Sequence, residues 1–218
     1  MPASPSDGMT ITVESTQQVT AITVNANTGQ SIVGAPSQLV PNQSLSWIYR
    51  LANTTWYPFF GGAGRATSLV SGTAVASTSG TSIDFTSIPS WVKRITVMFY
   101  DVSTSGSSAP QVQIGSGSFT TTGYTSVGQN GTTVQSSTSG FITTGSWAGT
   151  SIKSGSIVLT LLSSNVWVSS GVSIDIPAAN SSYCSGRVTI SGTLDRVRIT
   201  TLNGTDTFDA GSVNILYE

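Results

Sequence analysis

Arg94-Ile95-Thr96-Val97-Met98-Phe99-Tyr100 and Ser156-Ile157-Val158-Leu159-Thr160-Leu161-Leu162 decide the fold of this chain. In the first run Ile95, Val97 and Phe99 alternate with Thr96, Met98 and Tyr100. In the second, Ile157, Leu159 and Leu161 alternate with Val158, Thr160 and Leu162. A period of two belongs to a strand, whose successive side chains point to opposite faces. Both runs are apolar on both faces, which predicts central strands. Arg196-Val197-Arg198-Ile199-Thr200 has the one-sided form, with Val197 and Ile199 inward and both arginines toward solvent.

The same alternation recurs outward from these runs, at residues 10–13, 19–24, 44–50, 55–60, 111–114, 166–168, 172–176, 187–190 and 212–217. Turn clusters separate them, among them Thr104-Ser105-Gly106-Ser107-Ser108, Asn130-Gly131 and Asn203-Gly204. Helical spacing is nowhere sustained without interruption by Gly, Pro or Ser/Thr clusters. The pattern predicts an all-β protein. A composition break at Gly61-Gly62-Ala63-Gly64-Arg65, followed by a Ser/Thr/Gly/Ala-rich stretch to Gly80, predicts two parts. Residues 1–66 form a small N-terminal β-hairpin module for oligomerisation or anchoring. Residues 67–218 are expected to form an antiparallel β-sandwich.

Composition excludes several functions. Only 8% of the 218 residues are charged, eight basic against nine acidic, while Ser and Thr make up roughly a third. Ordinary globular chains carry about 25% charged residues. Eight dispersed basic residues cannot neutralise a run of phosphates, so nucleic-acid binding is not expected. Histidine is absent, which excludes a Ser-His-Asp triad and any His-ligated metal. The single cysteine, Cys184, cannot form an intrachain disulfide and reads as a small buried thiol in a loop. At 38% apolar the chain can bury a core. The N-terminus has neither a basic region nor an apolar core of the signal-peptide kind, and no apolar run is long enough for a membrane helix, so neither export nor membrane insertion is expected.

Residues 44–60 carry Trp47, Tyr49, Trp56, Tyr57, Phe59 and Phe60 on a hairpin turning at Arg50 to Asn53. Each ring has about 150–250 Å² to bury, more in sum than a two- or three-stranded ribbon can hide. A module of this size is also marginal alone. These six aromatics are therefore expected at an oligomer or anchor interface, with packing on the chain's own sandwich the less favoured arrangement.

The segment Leu39-Val40-Pro41-Asn42-Gln43-Ser44-Leu45-Ser46-Trp47-Ile48-Tyr49, with Asn53-Thr54-Thr55-Trp56-Tyr57, resembles a recurring module of tailed-bacteriophage fibre proteins. Asn42 stands where that pattern more often has Gly. Residues 82–95, Ser-Ile-Asp-Phe-Thr-Ser-Ile-Pro-Ser-Trp-Val-Lys-Arg-Ile, and residues 208–217, Phe-Asp-Ala-Gly-Ser-Val-Asn-Ile-Leu-Tyr, resemble the first and last strands of jelly-roll sandwiches in phage tail and head-fibre proteins, which implies a jelly-roll-like form for the C-terminal sandwich. Together the likeness covers roughly residues 20–60 and 80–218. It implies a non-enzymatic virion protein, a homotrimer held to other virion proteins by its N-terminal part and displaying the sandwich. A short tail fibre contacting host surface polysaccharide is the first expectation, and a capsid decoration or head-fibre protein the second.

Site chemistry is sparse. Asp84, Asp101, Asp175, Asp195, Asp206 and Asp209 are scattered, whereas a glycosidase needs two carboxylates facing one cleft. Asp206 follows the Asn203-Gly204 turn and reads as a turn residue, with calcium binding beside Asp209 the weaker alternative. No catalytic residue, metal site or cofactor is expected. The Asn-X-Ser/Thr triplets, among them those at Asn53, Asn130, Asn180 and Asn203, follow from the Ser/Thr content. Two long connections, residues 116–154 and 177–187, read as loops. Their aromatics Tyr124, Trp147 and Tyr183, set among hydroxyls and amides, form the expected glycan surface.

Overall fold

A computed structural model describes residues 1–59, 69–176 and 179–218 of the chain. Two compact units emerge, Met1–Ser68 and Leu69–Glu218, dividing two residues beyond the boundary read from composition. The Gly-rich stretch at 61–65 and Phe60 lie outside the described residues.

In the first unit, β1 (Thr10–Ser15), β2 (Ser31–Ile32), β3 (Gln43–Arg50) and β4 (Thr55–Pro58) form one sheet in the order β1-β3-β4-β2. A 3₁₀ turn at Leu51–Asn53 joins β3 to β4, and Asp7 accepts a hydrogen bond from its first amide, Leu51 N, at 2.7 Å. Asn42, at the turn into β3, has φ +60°. This left-handed conformation suits Gly best and Asn next, which accounts for Asn at that position. Residues 19–24 do not form the expected strand; the Val19–Leu39 bridge and a hydrogen bond from Ile22 N to the Ser37 carbonyl tie them down.

The sheet hides more of its aromatics than its size suggests. Trp47, Tyr49 and Trp56 are buried within this unit, Tyr49 and Trp56 with ring centroids 5.1 Å apart. Met1, Met9, Ile11, Val13, Ile32 and Leu45 pack around them. Both indoles find acceptors, Trp47 Nε1 on the Val33 carbonyl and Trp56 Nε1 on Gln30 Oε1. The expectation that these three rings require further copies is corrected: the N-terminal segment and β1 supply the cover that a bare hairpin lacks. Tyr57 is half-buried, and Phe59 is 44% exposed.

The second unit is an antiparallel sandwich. Its elements are β5 (Val70–Ser71), β6 (Val75–Ala76), β7 (Ser82–Thr86), β8 (Arg94–Thr104), β9 (Pro110–Ser116), β10 (Ser118–Phe119), β11 (Thr125–Asn130), β12 (Thr133–Ser137), β13 (Phe141–Ile142), β14 (Ile152–Ser163), β15 (Val166–Ile176), β16 (Asn180–Thr189), β17 (Arg196–Thr201) and β18 (Phe208–Tyr217). One sheet has nine strands, ordered β12-β11-β16-β15-β14-β8-β18-β5 with β6 also on β18. The other has five, ordered β10-β9-β17-β7 with β13 also on β9. The doubly apolar runs, β8 and β14, are adjacent in the middle of the larger sheet. The chain crosses between sheets from β6 to β7, β7 to β8, β8 to β9, β10 to β11, β12 to β13, β13 to β14, β16 to β17 and β17 to β18, whereas β14, β15 and β16 form a meander within one sheet.

Ile95, Val97, Phe99, Ile157, Leu159, Trp167, Val213 and Ile215 from the large sheet meet Ile83, Val112, Ile114, Phe141, Val197 and Ile199 from the small one in a single core. A row of bulges interrupts the large sheet at Asp101, Gly155 and Gly211, all three with positive φ. A Cβ on Gly211 would lie 2.3 Å from the Asp101 carbonyl, so only Gly fits there. The bulge shifts the phase of β8, so that Ile95, Val97 and Phe99 face the core before it, and Val102 and Thr104 after it.

Candidate functional site

The outer face of the nine-stranded sheet departs from the usual polar exterior. Cross-strand pairing sets its side chains in rows: Val127, Ser185, Ser170, Val158 and Thr96, then Gln129, Tyr183, Val172, Ser156 and Met98. Neither row holds a charge. Tyr183, Val172 and Ile174 are exposed, Tyr183 by 57%. The small residues between the apolar ones leave a shallow groove of about 520 Å³, with Val127, Gln129, Val158, Val172 and Tyr183 among its walls and Gly171 and Cys184 also lining it. Gly171 is required where it stands, since a Cβ would come within 2.8 Å of Cys184 Sγ and of the Ser156 carbonyl. Burial pushes the Cys184 thiol up to about 11, opposed by the nearby Lys153 charge.

The expected glycan surface is not assembled. Tyr183 lies on β16, not in a loop, and β10 to β13 occupy much of the supposed 116–154 connection. Tyr124 is buried, its hydroxyl oxygen accepting from Ile114 N at 2.9 Å and its ring edge-on to Phe141 at 5.0 Å. Burial holds its hydroxyl far above the ordinary phenol range. Trp147 is also buried, beside Ala109 and Ile142, with Nε1 donating to Thr104 Oγ1 at 2.8 Å. Tyr124 and Trp147 are core residues, and of the expected set only Tyr183 is open to a ligand. Of the expected interface set, Phe59 is the exposed ring among the described residues.

A second concavity, on the outer face of the five-stranded sheet, escaped the sequence reading. Arg198 on β17 is opposite Asp84 on β7 and binds it bidentately at 2.8 and 2.7 Å. The guanidinium carbon lies 4.0 Å from the centroid of Phe119, a stacking arrangement that fixes its plane. Next to it, Gln113, Ser139, Thr200 and Asn203 line a groove of about 240 Å³. The signals available in sequence were the arginines flanking Val197 and the lone Asp84, but the register that joins them is non-local. Asp206 holds the 203–206 turn, accepting from Asn203 Nδ2 at 2.7 Å and Ser108 N at 2.9 Å. Among the described residues no three acidic or thiol groups converge as metal ligands.

The third cluster is internal. Lys153 on β14 is fully buried, its Nζ donating to Ser173 Oγ at 2.8 Å and to the Thr143 carbonyl at 3.3 Å. The face of Trp147 lies 5.7 Å away. Asp175, opposite Lys153 in the β14–β15 pair, is also buried. Its Oδ2 accepts from Asn130 Nδ2 at 3.0 Å and from Ser151 Oγ at 3.3 Å. Asp175 Oδ1 and Asn130 Oδ1 have no hydrogen-bond partner. Burial pulls the Lys153 ammonium down to about 8, with Cys184 and Asp175 acting in the other direction.

No family model matches the chain, and neither the curated proteins nor the solved structures contain a match to it.

Proposed function

We propose that this chain is a non-enzymatic structural protein of a tailed-phage virion, a homotrimeric fibre subunit whose copies associate through the outer face of the nine-stranded sheet. The observation that carries this reading is the uncharged, partly apolar pair of rows on that face, with Val127, Val172, Ile174 and Tyr183 exposed, bordered by Arg187 and Arg94 in the next row. Contiguous exposed apolar surface of this kind marks an interaction site. Over these two rows, Val, Tyr, Ser, Thr, Gln and Met side chains are compatible with a second copy of themselves, since neither row brings a charge to the contact. The N-terminal unit, with Tyr57 and Phe59, is the part that attaches to other virion proteins. Host surface glycan is contacted by the groove beside Arg198, where a fixed guanidinium–carboxylate pair, amides and hydroxyls offer donors and acceptors to sugar hydroxyls.

Light scattering on the purified chain tests the assembly. Three times the 22.4 kDa chain mass is expected, and a monomer at micromolar concentration refutes the trimer. Antibody labelling of intact virions tests the location. Label on the tail is expected, and label over the shell replaces the fibre role with decoration.

A further inference from the structure

An asparagine followed by glycine is chemically labile in an open chain, because glycine has no side chain to hinder its amide nitrogen. Asn130-Gly131 is such a pair, and the sandwich encloses it. Gly131 and Thr132 make the two-residue loop between β11 and β12, with Gly131 at φ +56° and Asn130 paired to Thr133. Asn130 is also paired to Ser182 on β16, so its backbone is held from both sides. Its side chain is buried. Nδ2 donates to Asp175 Oδ2 at 3.0 Å, while Oδ1 meets no hydrogen-bond donor among the described residues. Gly145 lies directly against the turn: a Cβ there would stand 2.0 Å from the Thr133 carbonyl oxygen and 2.8 Å from Asn130 N. Gln129 Nε2 adds a hydrogen bond to the Gly131 carbonyl at 3.0 Å.

We infer that Asn130-Gly131 is a deamidation site that the fold keeps latched, with the Asp175 carboxylate as the latch on the side chain. In the reaction the Gly131 nitrogen attacks Asn130 Cγ and forms the N–Cγ bond. The Cγ–Nδ2 bond breaks, and ammonia leaves with the proton displaced from Gly131. Water, the co-reactant, then opens the cyclic imide at either carbonyl and leaves aspartate or isoaspartate. Nothing is oxidised or reduced. The closed sheet opposes each step. Asp175 holds Nδ2, and the strand pairing with Gly145 holds the backbone that must turn to bring the nitrogen onto Cγ. Oδ1, where negative charge develops, has no donor to stabilise it. Local opening of this end of the sheet releases all of these restraints together. The reaction then prevents reclosure. Aspartate at position 130 replaces the Nδ2 donor by a second buried carboxylate oxygen facing Asp175. Isoaspartate adds a methylene to the β11 backbone and breaks its period of two. The site rests on the hairpin and its Asp175 contact and stands independently of the virion role.

Incubation of the full chain at pH 8, folded and in urea, followed by brief trypsin digestion and mass spectrometry, is the test. Asn130 is the one asparagine between Arg94 and Lys153, so the tryptic peptide spanning residues 95–153 reports it alone. The mass gain left by exchanging ammonia for water is expected in urea, at least about a hundredfold faster than in the folded chain. Equal rates overturn the proposal, and so does the absence of any gain in urea. Asp175→Ala is expected to deamidate while folded, whereas Asp175→Asn, whose amide oxygen still accepts from Nδ2, is expected to stay protected. A folded Asp175→Ala chain that stays intact refutes the latch, as does an Asp175→Asn chain that reacts as fast as in urea. Should Asp175→Ala fail to fold, the Asp175→Asn chain and the folded-against-urea comparison decide. Asn130→Asp is expected to lower the urea midpoint of the sandwich, and an unchanged midpoint overturns the block on reclosure.

Discussion

The two faces of the nine-stranded sheet exchange the roles that a sandwich normally gives them. Toward the core, the end of the sheet around β11, β14 and β15 holds Lys153, Asp175, Asn130 and several serines. Toward the outside, the same strands present Val127, Val158, Val172 and Ile174, and β16 adds Tyr183. Along β15 the inversion is visible within one strand, where Ser173 and Asp175 point inward between Val172, Ile174 and Ile176, which point outward. Alternation alone, with apolar assigned to the core, would turn this strand over. What prevents it is register: Trp167 at the other end of β15 belongs to the main core, and strict period two carries Ser173 and Asp175 to the same side. A polar interior and an apolar exterior at one end are therefore consequences of a single strand phase, and each side needs a partner.

The largest test of this contrast is Asp175→Ala, which leaves the Lys153 ammonium buried without its counter-charge. A loss of about 3–5 kcal/mol in chemical denaturation of the sandwich is expected, and a loss under about 1 kcal/mol would show that the cluster is not dry. Trp56→Ala supplies the conventional case, an apolar residue in an apolar core, and should cost the N-terminal unit about 3–5 kcal/mol while the sandwich transition stays in place. On the outer face, Val172→Asp should shift the scattering mass toward the single chain while changing stability by no more than about 0.5 kcal/mol. An unchanged mass would remove this face from the interface. Arg198→Ala should weaken adsorption to host cells with the mass unaltered, and full adsorption would remove the groove from glycan contact. The smallest effect concerns Cys184. Its alkylation, followed against pH, should rise with a midpoint near 11 in the native chain instead of the ordinary thiol value. At pH 8 it should run about a hundredfold slower than in the unfolded chain.

Legibility varied with how local each determinant was. β8 and β14 were readable because their alternation is carried by consecutive residues. The alternation of β8 breaks after Tyr100, since the bulge at Asp101 changes the phase and makes Val102 and Thr104 look out of step. In sequence β15 looks like two strands because Ser169-Ser170-Gly171 resembles a turn; Gly171 is instead a close-approach position within a continuous strand. β11, β12 and the first part of β16 look like loops in sequence because Thr-Ser-Val-Gly-Gln-Asn, Thr-Val-Gln-Ser-Ser and Asn-Ser-Ser-Tyr-Cys-Ser-Gly lack a sustained apolar alternation. Pairing with neighbours on both sides makes β11 and β16 strands despite it. The Asn130-Gly131 turn was legible, and it closes the β11–β12 hairpin with Asn130 opposite Thr133.

By itself, the sequence determined an all-β chain of low charge, the central strands, the two-part division and the absence of histidine chemistry. These follow from composition and from a period that needs no knowledge of distant residues. Only the tertiary structure decided that Trp47, Tyr49, Trp56, Tyr124 and Trp147 are covered while Tyr183 is not. It also decided that Arg198 meets Asp84 and that Asp175 stands between Lys153 and Asn130. Those outcomes depend on strand order and register, which are chosen by the whole chain at once: an aromatic side chain is a core residue or a surface residue according to what the fold lays over it.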